Sequence, residues 1–188
     1  MPALHTRLPS FAARRTLGLI TASVALGLGA CSSSDDEAST NAPSSNSGAL
    51  VIAAANPAAH NSSVDLGTAR NAGNSARVAD VFSSVPYCEV FWEEAVASNG
   101  RKYAFQIYFR QGDKQAIHVS LMEASATAPT LVVFQNASGA PITGFTVDTA
   151  ARTIVIANKT ITGSAGQTAT ISGTISFGRN STVAACGA

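Results

Sequence analysis

Short segments in which apolar and polar residues alternate follow one another from about residue 77 to the end of the chain. Alternation with a period of two places one side of a strand against a core and the other against solvent. Turn residues separate the segments, so the pattern predicts an all-β fold: a small antiparallel β-sandwich or barrel of about eight strands, largely a meander. The predicted strands cover residues 88–96, 102–110, 115–122, 130–135, 142–148, 153–157, 160–163 and 168–177.

The first two predicted strands meet at Asn99-Gly100. This dipeptide favours the positive φ angles of a two-residue type I′ hairpin turn. With these two residues at the tip, Val90 faces Phe109. One face of the hairpin is then apolar apart from Glu94, for which a position near solvent or a pair with a neighbouring basic residue is expected.

The connection that follows decides which face of the third predicted strand meets the core. A two-residue loop at Gly112-Asp113 would turn the apolar residues of that strand to the polar face. A three-residue loop, residues 112–114, instead sets Phe105 opposite Leu121. Because a slip of one residue inverts every side chain, core burial favours the longer loop, with a glycine at or near the position of positive φ.

The region before these strands is polar. Residues 32–47 contain no aliphatic side chain larger than alanine, so they cannot bury enough apolar surface to order themselves. An apolar run at residues 50–55 leaves an edge strand and a short helix open as alternatives. We therefore expect a flexible, disordered tether over residues 31–76 and a globular domain over residues 77–188.

The N-terminal region has the pattern of an export signal. Arg7, Arg14 and Arg15 precede fourteen uncharged residues, 17–30. An apolar run of that length behind a basic flank is typical of a signal peptide, and it is shorter than the ~20 residues of a membrane-spanning helix. The arginine pair leaves a twin-arginine signal open, although the serine before the pair and the Phe-Leu after it are missing.

The uncharged run ends with Leu-Gly-Ala-Cys at residues 28–31: an aliphatic residue, two small residues and a cysteine. This motif resembles the lipobox of bacterial lipoprotein precursors, and the resemblance covers the first 31 residues only. It implies removal of residues 1–30, lipidation of Cys31 and anchoring in the bacterial cell envelope. The same resemblance implies that Ser32, in place of an aspartate, favours the outer membrane, facing the periplasm or the cell surface. An ordinary thiol after a secretory signal is the alternative for Cys31.

Charge limits the partners of the mature chain. Without residues 1–30 it has nine basic and eleven acidic residues, a net charge of −2. The sequence shows no basic patch for nucleic acid and no polybasic segment for anionic lipid. We therefore expect membrane attachment through the lipid on Cys31 and no nucleic-acid partner.

Two cysteines remain beside Cys31. In an oxidising compartment such thiols usually pair, so we predict a disulfide between Cys88 and Cys186. It would tie the first predicted strand to the segment after the last one, and Cys88 shares the inward parity of Val90 and Trp92. Two reduced, buried cysteines are the alternative. No cysteine or histidine spacing indicates a metal site or a cofactor.

The candidate binding surface is a row of aromatic side chains. The predicted register sets Phe91, Tyr108 and His118 side by side on the outer face, where they could stack a sugar ring or receive a partner protein. Cross-strand packing, or coverage by residues 50–85, is the structural alternative. The other histidine of the mature chain, His60, lies in the expected tether and is interpreted as solvated.

These observations favour a membrane-anchored envelope lipoprotein with a non-enzymatic binding or structural role, whose partner is an unknown envelope protein or glycan. A small-ligand or glycan binder that uses a barrel mouth or the aromatic row is the second hypothesis. A hydrolase with His118 as general base is the third. It is disfavoured because the chain has no G-x-S-x-G motif, and because Glu93 and Glu94 would point to opposite faces of a strand.

Overall fold

The computed structural model describes residues 47–124, 126–136 and 140–188. The predicted signal peptide 1–30 and the predicted lipidation site Cys31 lie outside these residues. The described strands are β1 (Ser47–Asn56), β2 (Ser62–Asp65), β3 (Asn71–Arg77), β4 (Tyr87–Ala97), β5 (Lys102–Arg110), β6 (Ala116–Glu123), β7 (Val132–Asn136), β8 (Phe145–Asp148), β9 (Thr153–Thr162) and β10 (Thr168–Ser176). The helices are single 3-10 turns at Ala58–His60, Leu66–Thr68 and Ala184–Cys186, and none in this part of the chain is long and apolar enough to cross a membrane.

Eight of these strands close into an antiparallel barrel. The order around the wall is β1-β2-β4-β5-β6-β7-β9-β10, and β10 closes it by pairing with both β9 and β1. β3 pairs with β4 and β8 with β9, outside the ring. The fold is thus the all-β meander that the alternation predicts. The sequence left a sandwich and a barrel open, and the structure is a barrel. Closure removes the unpaired edges that an open sheet would leave.

The barrel begins earlier in the chain than expected. Residues 47–76, assigned to the tether from their composition, form β1, β2 and β3. Leu50 and Ile52 of β1 are buried between exposed neighbours, and β1 pairs with β10 on one side and β2 on the other. The expected boundary at residue 77 is therefore too late, because β1 is a strand of the barrel wall.

The β4–β5 hairpin differs from the predicted register by two residues. Val90 pairs with Ile107 instead of Phe109. As far as Trp92 the same side chains still face the core, because a shift of two residues preserves the alternation of faces. Beyond Trp92 the inward positions are Ala95 and Ala97, and Val96, predicted to face inwards, is 41% exposed. Gly100 has a φ of 78°, whereas Asn99 is not at positive φ. The predicted type I′ turn, which needs positive φ at both residues, is therefore wrong.

A β-bulge accommodates Glu94, the one polar residue on the predicted apolar face. Glu94 has a φ of 56° and follows Trp92 at a shift in register. The bulge directs its carboxylate outwards, where Oε2 lies 3.3 Å from Lys102 Nζ and Oε1 lies 3.1 Å from Arg70 Nη2. Ala95 takes the inward position in its place and is fully buried.

Away from its loop the β5–β6 hairpin keeps the predicted core register, since Phe105 pairs with Leu121. Next to the loop the register shifts, so Phe109 pairs with Ala116 instead of the predicted Ile117, which packs against Tyr87 and Tyr108. The loop is longer than the three residues expected, because β5 ends at Arg110 and β6 begins at Ala116. The positive φ, 62°, falls on Lys114 and not on a glycine. Core burial thus decided the register away from the loop correctly, while the turn chemistry was predicted wrongly.

β9 is one strand where two strands and a turn near Asn158 were predicted. Asn158 has a φ of 44°, and the register against β10 shifts beside it. The turn-like residue is therefore a bulge within a continuous strand. On β10, Gly173 has a φ of 150°, and a Cβ there would lie 2.2 Å from the carbonyl oxygen of Ala49. Only glycine allows β1 and β10 this close approach.

The barrel interior is filled by side chains from all eight wall strands. Its largest fully buried side chains include Trp92, Tyr103, Phe105, Phe109 and Phe177. The rings of Trp92 and Phe105 have centroids 5.6 Å apart, and those of Phe109 and Phe177 6.0 Å apart. Eight strands enclose a space that side chains can fill, and here aromatic rings occupy it.

The predicted disulfide is present. Cys88 and Cys186 are both fully buried, with Cα atoms 5.6 Å apart. The bond joins β4 to the segment that follows β10. Asn74 of β3 holds the same segment, donating from Nδ2 to the carbonyl oxygens of Gly178 (2.9 Å) and Cys186 (2.6 Å). The C-terminal segment thus closes the end of the barrel at which β4 begins, which we call the disulfide end.

Replacing both Cys88 and Cys186 by serine should lower the free energy of unfolding. The two residues are 98 positions apart, and for a closed loop of that length the chain-entropy estimate is an upper limit of about 4–5 kcal/mol. Urea unfolding followed by circular dichroism measures the loss. The wild-type protein unfolded in the presence of a reductant should show a comparable loss. A double variant as stable as the oxidised wild type would contradict the stabilising role of the bond.

Candidate functional site

A groove of about 590 Å³ crosses the outer face of the barrel over β4, β5, β6 and β7. We call it the outer groove. Ala104, Gln106 and Ser120 lie along its middle, with Phe91 of β4 on one side and Phe134 of β7 on the other. Three strand spacings, roughly 14 Å of sheet, separate those two strands. The groove is therefore a shallow trough with aromatic sides.

The three residues of the predicted binding row all line this groove, but they do not form one row. Tyr108 pairs with His118, and their rings lie with centroids 4.6 Å apart. The two-residue difference in register places Phe91 opposite Gln106 and places Glu89 opposite Tyr108. The predicted neighbours Tyr108 and His118 are thus confirmed as a pair, whereas the predicted Phe91–Tyr108 pair is wrong.

Phe82, from the connection between β3 and β4, covers part of the row. Its ring packs edge-on against Tyr108 and His118, with centroids 5.4 and 5.8 Å away. Tyr108 is only 7% exposed and His118 only 8%. Coverage by residues 50–85 was the alternative left open by the sequence, and Phe82 provides it. The accessible apolar surface of the groove lies instead at Met122 and Phe134, which are 41% and 47% exposed.

An ion pair neutralises the charge beside the groove. The Glu89 carboxylate accepts hydrogen bonds from Arg77 Nε and Gln106 Nε2, and Arg77 also pairs with it through Nη2. The Tyr108 hydroxyl lies 3.5 Å from the same carboxylate. Burial, together with the negative charge of Glu89, raises the pKa of Tyr108 to about 12. The groove thus offers aromatic rings, neutral polar groups and the carboxylate of Glu93, which accepts from Asn71 Nδ2.

His118 does not have the surroundings of a general base. Its Nδ1 atom is buried and makes no hydrogen bond among the described residues. Burial lowers the pKa of His118, and the negative charge of Glu89 only partly opposes this effect. A catalytic histidine of the triad type needs a third group that orients the ring through its second nitrogen. The geometry at His118 therefore favours ring packing over nucleophile activation.

A second polar cluster, which the sequence did not reveal, lies at the end of the barrel opposite the disulfide. His60 is fully buried there, contrary to its interpretation as a solvated residue. Its Nε2 lies 2.8 Å from Thr130 Oγ1 and its Nδ1 lies 3.0 Å from the Tyr103 hydroxyl. Thr130 Oγ1 is 3.2 Å from Glu123 Oε2, and Glu123 pairs with Arg101. We call these five residues the His60 cluster.

The donors and acceptors of the His60 cluster are all satisfied when the imidazole is neutral. A carboxylate only accepts, so Thr130 donates its hydroxyl proton to Glu123 and accepts from His60 Nε2. Nδ1 of His60 then accepts from the Tyr103 hydroxyl, and the imidazole is neutral. Burial, assisted by the positive charge of Arg101, lowers the pKa of His60. The cluster therefore joins three connections of the barrel end through a neutral histidine.

No protein-family model, curated protein or solved structure matches this chain. Within the described residues, no group of three or more histidine, cysteine, aspartate or glutamate side chains is placed to hold a metal ion. The outer groove therefore has to be interpreted from its own chemistry.

The free energy of unfolding should fall as the pH is lowered from 7.5 to 5. Burial sets the folded-state pKa values of His60 and His118 below the ordinary value of 6.5. The unfolded chain therefore binds more protons in this range, and stability present above pH 6.5 is lost as the pH falls towards the folded-state pKa values. Urea unfolding at a series of pH values measures this slope.

His118→Phe separates the two histidines. The substitution keeps a ring against Tyr108 and removes the unpartnered nitrogen, so it should raise stability at pH 7.5 by about 1 kcal/mol and flatten the slope. His60→Gln should also flatten the slope, but it breaks the hydrogen-bond chain and should cost about 1–3 kcal/mol. If His118→Phe kept the slope of the wild type, His118 would not titrate in this range.

Proposed function

We propose that this protein is a lipoprotein of the bacterial cell envelope, attached to the outer membrane through Cys31 and with a non-enzymatic binding or structural role. The observation that carries the proposal is the lipobox-like motif at residues 28–31, behind a basic flank and an apolar run. The place where the barrel begins supports it. Ser47, the first residue of β1, follows Cys31 by sixteen positions, and that much chain spans at most roughly 55 Å.

The disulfide supports a location outside the cytoplasm. Disulfides form and persist in the periplasm and at cell surfaces, and they are rare in the reducing cytosol. The Cys88–Cys186 bond is fully buried and links elements far apart in the sequence. An exported protein that faces the periplasm or the cell surface would acquire such a bond as it folds.

The outer groove is the surface that we assign to binding. The barrel interior is occupied by its own aromatic side chains, so a partner is more readily received on the outside. Phe91, Met122 and Phe134 provide apolar contact area, while Gln106 and Ser120 offer hydrogen-bonding groups between them. Exposed aromatic and apolar side chains around a few polar groups are typical of binding surfaces for proteins and small molecules.

A glycan is the second candidate occupant, and the composition of the groove favours it specifically. An aromatic ring presents an apolar face on which a sugar ring can stack, and the amide of Gln106 and the hydroxyl of Ser120 can bond sugar hydroxyls. The volume of about 590 Å³ lies within the range of small-ligand sites. Of the two positions expected for a glycan site, the barrel mouth and the aromatic row, we propose the second, on the outer face of the wall.

Anchoring is tested by replacing Cys31 with serine in the full precursor. Wild-type protein should incorporate labelled palmitate and fractionate with the outer membrane, whereas Cys31→Ser should do neither. Ser33→Ala, two residues away, is the matched control and should behave like the wild type. Absence of label from the wild type, with release of the protein by osmotic shock, would contradict the proposed function.

The groove is tested in native membranes with a photo-reactive phenylalanine analogue at position 134. We expect a cross-link to one envelope protein or glycan, and Phe91→Ala should weaken it about tenfold, as expected for the loss of one aromatic contact in an interface. The same analogue at Val51, an exposed position on β1, is the control. Equal cross-linking from positions 51 and 134 would remove the groove from the proposal.

A further inference from the structure

The β3–β4 connection, residues 78–86, exposes three valine side chains. Val78 is 79% exposed, Val81 87% and Val85 42%. The first two are the most exposed of the large apolar side chains in the described ranges. Phe82, in the same connection, turns the other way and packs on His118. The connection thus has one aromatic side chain seated on the barrel and three apolar side chains directed to its surroundings.

Hydrogen bonds hold this connection in a defined shape. Asp80 accepts from the backbone N–H of Phe82 and from the Tyr87 hydroxyl, both at 2.8 Å. The backbone N–H of Asp80 donates to the carbonyl oxygen of Ser83 at 2.8 Å. Asp80 is the one charged residue in this stretch of sequence, and its carboxylate oxygens both accept internal hydrogen bonds. The valines are therefore presented by a structured loop.

The β3–β4 connection, residues 78–86, which we call the valine loop, lies at the same end of the barrel as the start of β1. β1 and β4 are each antiparallel to β2, so they run in the same direction. Ser47, which opens β1, pairs with Ser176 at the end of β10, and the segment that follows β10 is bonded through Cys186 to Cys88 at the start of β4. Ser47 and the connection that leads into β4 are therefore both at the disulfide end. The backbone N–H of Gln111, in the β5–β6 connection, donates a hydrogen bond to the carbonyl oxygen of Pro86 at this end. The His60 cluster and the β9–β10 turn lie at the opposite end.

We propose that the disulfide end rests on a lipid bilayer, with Val78, Val81 and Val85 inserted among the lipids. The inference rests on the proposed lipid anchor at Cys31. Ser47 lies at the same end of the barrel as the valines, so the chain between it and Cys31 need not run the length of the barrel to reach the membrane. If the chain left from the opposite end, it would first have to run back along the barrel, whose longer strands are about 30 Å in length.

The chemistry of the loop specifies the kind of lipid surface. Val78, Val81 and Val85 bring no positive charge, and the mature chain has a net charge of −2. Contact would therefore come from buried apolar area and not from attraction to anionic head groups. Insertion should accordingly occur on neutral phosphatidylcholine and depend little on salt.

The experiment uses the full lipidated protein in phosphatidylcholine vesicles, with and without brominated acyl chains that quench tryptophan. Val81→Trp should show a blue-shifted emission that the brominated lipid quenches. Ala165→Trp, in the exposed β9–β10 turn at the opposite end, is the matched control and should not be quenched. The native Trp92 is fully buried, so the wild type provides the background. Val78→Trp repeats the test if Val81→Trp folds poorly.

Palmitate incorporation and co-sedimentation with vesicles are measured first on the same samples. If the protein is anchored but Val81→Trp and Val78→Trp emit as Ala165→Trp does, the inference is overturned and the proposed function stands. The same holds if the valine positions become shielded only in native membranes, which would indicate a protein partner. If the protein is neither acylated nor vesicle-bound, the proposed function fails and the inference fails with it.

Discussion

The pairing of β1 with β10 on one side and β2 on the other is the interaction on which the structure depends. Because β1 lies between them, β10 and β2 each have a partner for the backbone N–H and C=O groups along the edge that faces β1. Gly173 permits this by admitting the backbone of Ala49 where a side chain would collide. Once the wall is closed, its inner face becomes a packed core and its outer face becomes the surface available to partners.

Backbone irregularities allow this wall to curve. Glu94 and Asn158 both adopt positive φ within strands, and the register shifts beside each of them. A bulge bends a strand and increases its twist, which a closed sheet requires. At Glu94 the bulge also turns a carboxylate away from the core. The same irregularity therefore contributes to the shape of the barrel and to the apolar character of its interior.

The alternation of apolar residues was sufficient for the regions where large side chains define the core. It identified the inward faces of β5, of β4 as far as Trp92 and of β6 from Val119 onwards, and the parity of Cys88, because burial of bulky residues allows one orientation only. It left β1 open between an edge strand and a short helix, and it failed for β2 and β3, where serine, asparagine, alanine and glycine give little contrast between faces. These strands are held by backbone pairing with neighbouring strands. A pattern of residues within one segment does not show with which strand its backbone pairs.

The outer groove and the His60 cluster show a second limit. The Tyr108–His118 pair followed from the β5–β6 register, which core burial decides. The position of Phe91 depended on the register of the β4–β5 hairpin. A two-residue error in that register placed Phe91 opposite Tyr108, whereas in the structure it lies opposite Gln106. His60 meets Tyr103 and Thr130 only after the barrel has closed, so its burial could not be inferred from its neighbours in the sequence.

The bond between Cys88 and Cys186 has a consequence for how the molecule responds to proteases. The chain from β4 to β10 forms a covalent ring, so a single nick between the two cysteines opens the ring without releasing either piece. A nick in residues 57–86 falls outside the ring. It would cut the covalent path from Cys31 to the seven enclosed strands, leaving only non-covalent pairing with the strands before the nick to retain them.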